Sequence, residues 1–177
     1  MRSLLLLAMI CLPQLAFAAG SDDMQPPAPT ETTTKCAEGE VWDEKTKACT
    51  APEDAGLDDD TRFGAVRELA HADRPQDALR VLASMREGKT DRVLTYLGFA
   101  TRKTGRMNEG LAFYAAALDQ NPDNLLARSY LGQAYVELGK TDLAAAQLSQ
   151  IRARGGRDTW AATALWRALA SGRTSNY

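Results

Sequence analysis

Histidine and cysteine are scarce in this sequence of 177 residues, which contains one histidine, His71, and three cysteines. A structural zinc site needs four Cys or His ligands, and after residue 18 the chain offers only Cys36, Cys49 and His71. A lone histidine on a predicted helix is more typical of a surface residue than of a general base. No Gly-rich loop after a strand, no nucleophile motif and no carboxylate pair stands out. We therefore expect no catalysis, no metal and no cofactor.

Long apolar runs are also missing after residue 18, so nothing there reaches the about 20 residues that a membrane-spanning helix needs. Residues 1–18 combine Arg2, a short apolar stretch and small residues at A-x-A spacing, which is typical of a secretory signal peptide cut after Ala18. The apolar stretch is too short for an anchor, and bulky Ile10 argues against a lipoprotein site at Cys11. We expect a periplasmic or secreted mature protein without a membrane span.

Charge is distributed unevenly along the chain. Residues 19–61 hold twelve acidic and three basic side chains, whereas residues 62–177 hold eleven acidic and seventeen basic ones. Residues 19–35 are rich in Pro, Thr and Asp with little apolar bulk, which predicts a disordered tether. The simplest interpretation is an acidic solvated tail on a mildly basic domain, and the alternative is a tail that folds back onto that domain.

Residues 36–50 contain the two cysteines of the expected mature chain, at positions 36 and 49. An exported protein meets an oxidising compartment, so we expect Cys36 and Cys49 to pair and close a small hairpin. Such a loop contributes roughly 3 kcal/mol in the chain-entropy model. Trp42 lies inside the loop, either packed on the disulfide or exposed to stack on a sugar.

Three aspartates at 58–60 open the first predicted helix, where they suit its N-terminus by capping and by the helix dipole. The alternative, a calcium site, lacks the alternating ligand loop that should follow.

The most informative pattern is an internal repeat of 34 residues. Residues 91–124 and 125–158 align without gaps, and Tyr-Leu-Gly stands at 96–98 and again at 130–132. Within each unit, apolar residues recur at helical spacing, stop at Gly105 or Gly139, and resume. Each unit is therefore predicted to be two helices joined by a tight turn.

Small residues at matched places predict where the paired helices approach. Glycine inside a helix is less favourable than alanine by about 1 kcal/mol, so it needs a packing reason. We expect the helices to cross at Gly98 and Gly110 in the first unit, and at Gly132 and Ala144 in the second. Leu97 and Leu131 fill the space beside these crossings.

These units resemble tetratricopeptide repeats, through Leu94, Leu97, Gly98, Tyr114, Ala117 and Pro122 in the first and Leu131, Gly132, Tyr135, Ala144 and Leu148 in the second. The resemblance implies an all-α fold, a right-handed stack of helical hairpins that binds proteins. Residues 57–90 would be a degenerate leading unit, 159–171 a capping helix and 172–177 a tail. An unrelated helical bundle is the alternative.

The resemblance also implies that the first helix of each unit lines a concave groove for a protein or peptide. The residues at those places are Arg92, Thr95, Phe99, Arg102, Lys103, Ser129, Gln133, Val136 and Glu137. Arg152, Arg154 and Arg157 form a second candidate, either for anions or as helix C-terminal charges. Nucleic acid is not an expected ligand of an exported, acidic chain. We therefore predict an adaptor of the bacterial cell envelope, with a glycan- or peptidoglycan-binding protein that uses the Trp42 hairpin as the alternative.

Overall fold

The computed structural model describes residues 27–174, so the predicted signal peptide at 1–18 lies outside the described part. In that part, one antiparallel hairpin pairs β1 (Val41–Asp43) with β2 (Ala48–Thr50), and Trp42 lies opposite Cys49. The helices are α1 (Glu31–Thr34), α2 (Asp59–His71), α3 (Pro75–Ser84), α4 (Asp91–Lys103), α5 (Met107–Gln120), α6 (Leu125–Glu137), α7 (Thr141–Ala153) and α8 (Trp160–Ser171). None of these helices is long and apolar enough to cross a membrane.

The seven longer helices stack as three hairpins followed by α8. Helix α2 pairs with α3, α4 with α5 and α6 with α7, and α8 packs against both α6 and α7. Because the repeats are helical and the strands form only one small hairpin in the described part, the predicted all-α class is confirmed.

Local signals set the ends of these helices. Gly105 and Gly139 follow α4 and α6 with φ of 88° and 71°, a left-handed conformation that ends a helix and favours glycine. Four helices are preceded by an N-cap residue whose side chain accepts a hydrogen bond from the backbone N–H group three residues later. This bond satisfies an N–H group that has no partner within the helix. These caps are Asp58, Thr90, Asn124 and Thr159.

The backbones of α4 and α5 meet at Gly98 and Gly110. A Cβ atom on Gly98 would lie 2.5 Å from the ring of Tyr114 and 3.1 Å from the carbonyl oxygen of Gly110. Leu97 is half-buried beside this contact. The two glycines therefore allow an approach that side chains would block.

Gly132 of the second unit also faces a helix that the repeat pattern did not predict as its neighbour. The atoms nearest to a Cβ on Gly132 would belong to Leu165 of α8, at 2.5 Å, rather than to α7. Ala144 and Leu131 are both buried. Gly132 makes room for α8 because that helix packs directly on α6.

The prediction of a disordered tether at 19–35 is corrected for residues 30–35, which fold onto α2 as the alternative expected, while residues 19–26 lie outside the described part. Glu68 is 4% exposed, and its carboxylate accepts hydrogen bonds from the backbone N–H of Thr30 at 2.7 Å and of Thr33 at 3.1 Å. The hydroxyl groups of both threonines donate to the same carboxylate. A threonine-rich segment with little apolar bulk is thus ordered by polar contacts to one buried acid.

The β-hairpin is joined to the helical stack by its own side chains and by the loop that follows. Val41 is fully buried in the same apolar core as Val66 and Leu69 of α2. The buried guanidinium group of Arg62 donates to the carbonyl oxygens of Pro52, Leu57 and Asp54, each at 2.7 Å. These bonds hold the loop between β2 and α2 against the first helical hairpin.

Candidate protein-interaction surface

Most of the residues predicted to line a groove are buried, which corrects that prediction. Arg92 and Lys103 are half-buried, and Glu137 is the most accessible of the nine. The buried ones are Thr95, Phe99, Arg102, Ser129, Gln133 and Val136, with exposed fractions between 0% and 8%. Buried side chains are not available to a peptide, so these six serve packing between the helices.

Phe99 belongs to an aromatic cluster between successive first helices. Its ring centroid lies 4.8 Å from that of Tyr130 on α6 and 6.4 Å from that of Tyr96 on α4. Tyr96 in turn contacts Phe63 on α2 edge to face at 5.3 Å. The aromatic side chain expected to anchor a ligand therefore joins three repeats to each other.

Thr95 and Ser129 hold neighbouring repeats together by hydrogen bonds. The hydroxyl group of Ser129 donates to the carbonyl oxygen of Ala161 in α8 at 2.8 Å. The side-chain amide of Asn124, the cap of α6, donates to the Thr95 hydroxyl oxygen at 3.0 Å. A buried hydroxyl group needs such a partner, and the stack of helices supplies it.

Arg102 and Glu137 form an ion pair between α4 and α6. The Arg102 side chain is fully buried, and its guanidinium group donates to the Glu137 carboxylate and to the Tyr114 hydroxyl oxygen. Burial opposes the charge of Arg102, but Tyr114 and Glu137 favour it, and the pKa of Arg102 is raised on balance. Burial raises the pKa of Tyr114 and lowers that of Lys103. The arrangement stabilises a permanent cation between two repeats.

Arg92 has structural partners rather than a free groove position. Its guanidinium group pairs with Glu87 at 2.8 Å and with Asp60 at 2.9 Å, and it lies 4.6 Å from the centroid of the Phe63 ring. These contacts join the start of α4 to α2.

The three aspartates at 58–60 each have a structural role. Asp58 caps α2, and hydrogen bonds from the Thr61 hydroxyl and backbone, with help from Lys45, lower its pKa to about 2. The Asp59 carboxylate accepts from the backbone N–H groups of residues 86 and 87, while Asp60 pairs with Arg92. No cluster of three or more His, Cys, Asp or Glu side chains within residues 27–174 is suited to a metal ion.

Cys36 and Cys49 lie at disulfide distance, with sulfur atoms 2.07 Å apart. Trp42 lies opposite Cys49 in the hairpin and is half-buried. Its indole N–H donates to Glu44 at 2.9 Å, and the Lys35 ammonium group lies 5.4 Å from the ring centroid. The side chain is thus engaged by neighbours of both charges, and nothing in its geometry favours a sugar.

An exposed surface on α8 brings Trp166, which was not predicted as a site residue, next to Arg152 and Arg157 of the second candidate. Trp166 is 54% exposed, the largest value among the large apolar side chains of the described part. It lines a cleft of about 180 Å³ together with Arg152, Arg157, Ala162 and Thr163. The sequence position of Trp166 could have indicated this surface, since Trp166 follows Gly132 by one repeat period.

Comparison with known proteins identifies the repeats. Residues 102–169 match the family model of the tetratricopeptide repeat, and this segment runs from the end of α4 through most of α8. No curated protein and no solved structure matches the chain. Tetratricopeptide repeats generally mediate protein–protein interaction. The match covers 68 of the 177 residues, so this segment, whose helical hairpins belong to a stack with a period of 34 residues, is similar to tetratricopeptide repeats.

Proposed function

We propose that this protein is an exported adaptor of the bacterial cell envelope, which binds a protein partner and catalyses no reaction itself. The observation that carries the proposal is the match of residues 102–169 to tetratricopeptide repeats in a chain whose helices stack as hairpins. Such stacks present extended surfaces to other proteins.

Two features support export. Residues 1–18 have the composition of a secretory signal peptide. Cys36 and Cys49 lie at disulfide distance, and disulfides persist chiefly in oxidising compartments such as the periplasm.

The engagement of the polar side chains supports a role without catalysis. Arg62, Glu68 and Arg102 are buried, and each is used to hold backbone or side chains of a neighbouring element. His71, the single histidine, lies on the surface in the last turn of α2.

Fractionation of the native cells tests the proposal. We expect the mature chain in the periplasmic or secreted fraction with Ala19 as its first residue, and a tagged full-length chain should retain a discrete protein from the envelope. A chain that lacks residues 2–18 is the matched control and should stay in the cytosol. A chain that keeps its N-terminus in the cytosol, or that retains no protein, would contradict the proposal.

A further inference from the structure

Trp166 occupies the place that glycine holds in the two preceding repeats. Gly98, Gly132 and Trp166 follow one another at intervals of one repeat period. A later helix covers each glycine, since a Cβ there would lie 2.5 Å from Tyr114 of α5 or from Leu165 of α8. Within residues 27–174 no further helix covers Trp166, which is 54% exposed.

The surroundings of this tryptophan are basic. Arg152 at the end of α7 and Arg157 before α8 line the same cleft, and neither side chain forms a hydrogen bond or ion pair with residues 27–174. Arg154, between them, is instead paired with Asp123 at 3.1 Å. Residues 152–174 contain five arginines and one aspartate, so this segment carries a net positive charge.

We propose that this face of α8 binds an acidic helical segment of a partner protein, with apolar side chains over Trp166 and carboxylates on Arg152 and Arg157. The inference rests on the proposed function and names the surface and the chemistry of its partner. Tryptophan and arginine are the side chains that most often dominate binding at protein interfaces. Arginine also pairs with carboxylates in a two-pronged geometry.

A helix is the expected form of the ligand because this face corresponds to the one that later helices cover in the preceding repeats. A second copy of the chain is a poor occupant. A symmetric dimer through this surface would bring the same patch of each copy together, and like charges would face each other.

Photo-crosslinking of the full-length chain in its native cells tests this surface. A photoreactive phenylalanine derivative in place of Trp166 should form an adduct with one protein, through a segment rich in Asp and Glu. Combined Arg152→Glu and Arg157→Glu substitution should lower the yield of that adduct by about tenfold, which corresponds to about 1.4 kcal/mol. Lys140→Glu, an exposed charge reversal at the turn between α6 and α7, is the matched control and should leave the yield unchanged.

Several results would overturn the inference: no adduct, an adduct with nucleic acid, lipid or a second copy of the chain, or a protein adduct that ignores the arginine substitutions. The same photoreactive group at Leu143, which is exposed on α7, separates the two proposals. A protein adduct from Leu143 but none from Trp166 would leave the adaptor function standing and remove the α8 surface. A chain that retains no protein from the envelope and forms no protein adduct at either position would remove both.

Discussion

The carbonyl oxygen of Gly98 lies 2.9 Å from the position that a Cβ atom would take on Gly110, so the backbones of α4 and α5 touch at these two residues. Gly98→Leu would drive a side chain into the ring of Tyr114, which is fully buried. We expect the variant to lower the free energy of unfolding by about 1–3 kcal/mol, measured by urea denaturation.

Gly64 offers a matched control for that substitution. It lies inside α2, is exposed, and a Cβ there would meet no atom within 4 Å. Gly64→Ala should therefore raise the free energy of unfolding by about 0.5–1 kcal/mol, because alanine loses less backbone entropy in a helix. If Gly98→Leu unfolded at the same urea concentration as the unchanged protein, the crossing would have to lie elsewhere.

The contact between Gly132 and Leu165 predicts that the effect of Gly132→Ala on the free energy of unfolding changes sign when Leu165 is shortened to alanine. In the unchanged protein, Gly132→Ala should destabilise because its Cβ would lie 2.5 Å from the buried Leu165 side chain. Leu165→Ala alone should lower the free energy of unfolding by about 2–5 kcal/mol. In the Leu165→Ala background the clash is gone, so Gly132→Ala should stabilise by about 1 kcal/mol through helix propensity. Independent effects that simply add would contradict the contact.

These glycines show how far the sequence determined the fold. A repeat period reports contacts that recur in every unit, and it correctly predicted the helical hairpins and the approach at Gly98 and Gly110. Gly132 differs because α8 follows the second unit, and one sequence does not reveal which neighbour fills a given gap. The groove prediction was wrong for Thr95, Phe99 and Ser129 for a related reason, since burial there arises from packing between repeats.

The N-terminal threonines were misjudged because composition measures apolar burial only. Four hydrogen bonds from Thr30 and Thr33 converge on Glu68, and their pattern in the sequence is not visible without the fold. Glu68→Gln should weaken these bonds and release the segment, since hydrogen bonds to a charged group contribute about 1.5–3 kcal/mol. Hydrogen exchange should accelerate in residues 30–43 while α4 and α5 keep their protection. Unchanged exchange in that segment would show that the carboxylate does not hold it.

Asp58 predicts a pH dependence of stability. Hydrogen bonds from the Thr61 hydroxyl and backbone, together with Lys45, lower its pKa from 3.8 to about 2 in the folded chain. A carboxyl group with a lowered pKa stabilises the fold above its ordinary pKa, and this contribution is lost as the pH falls towards about 2. Asp58→Asn keeps an oxygen acceptor without the titration, so its melting temperature should fall less steeply over this range. Melting temperatures can be measured by circular dichroism at each pH. If they fell equally steeply with pH in the two proteins, the coupling would be disproved.

Substitutions at Arg102 and Glu137 can distinguish a structural role of Arg102 from a ligand-binding one. Glu137→Gln would leave the buried guanidinium group without its carboxylate and should lower the free energy of unfolding by about 1–3 kcal/mol. In the Arg102→Met background no buried charge remains, so adding Glu137→Gln should change the stability little. Urea denaturation of the two single variants and the double variant measures this coupling. A ligand-binding role for Arg102 would give a different result. Arg102→Met would then abolish retention of the partner protein, and Glu137→Gln would unfold at the same urea concentration as the unmodified protein.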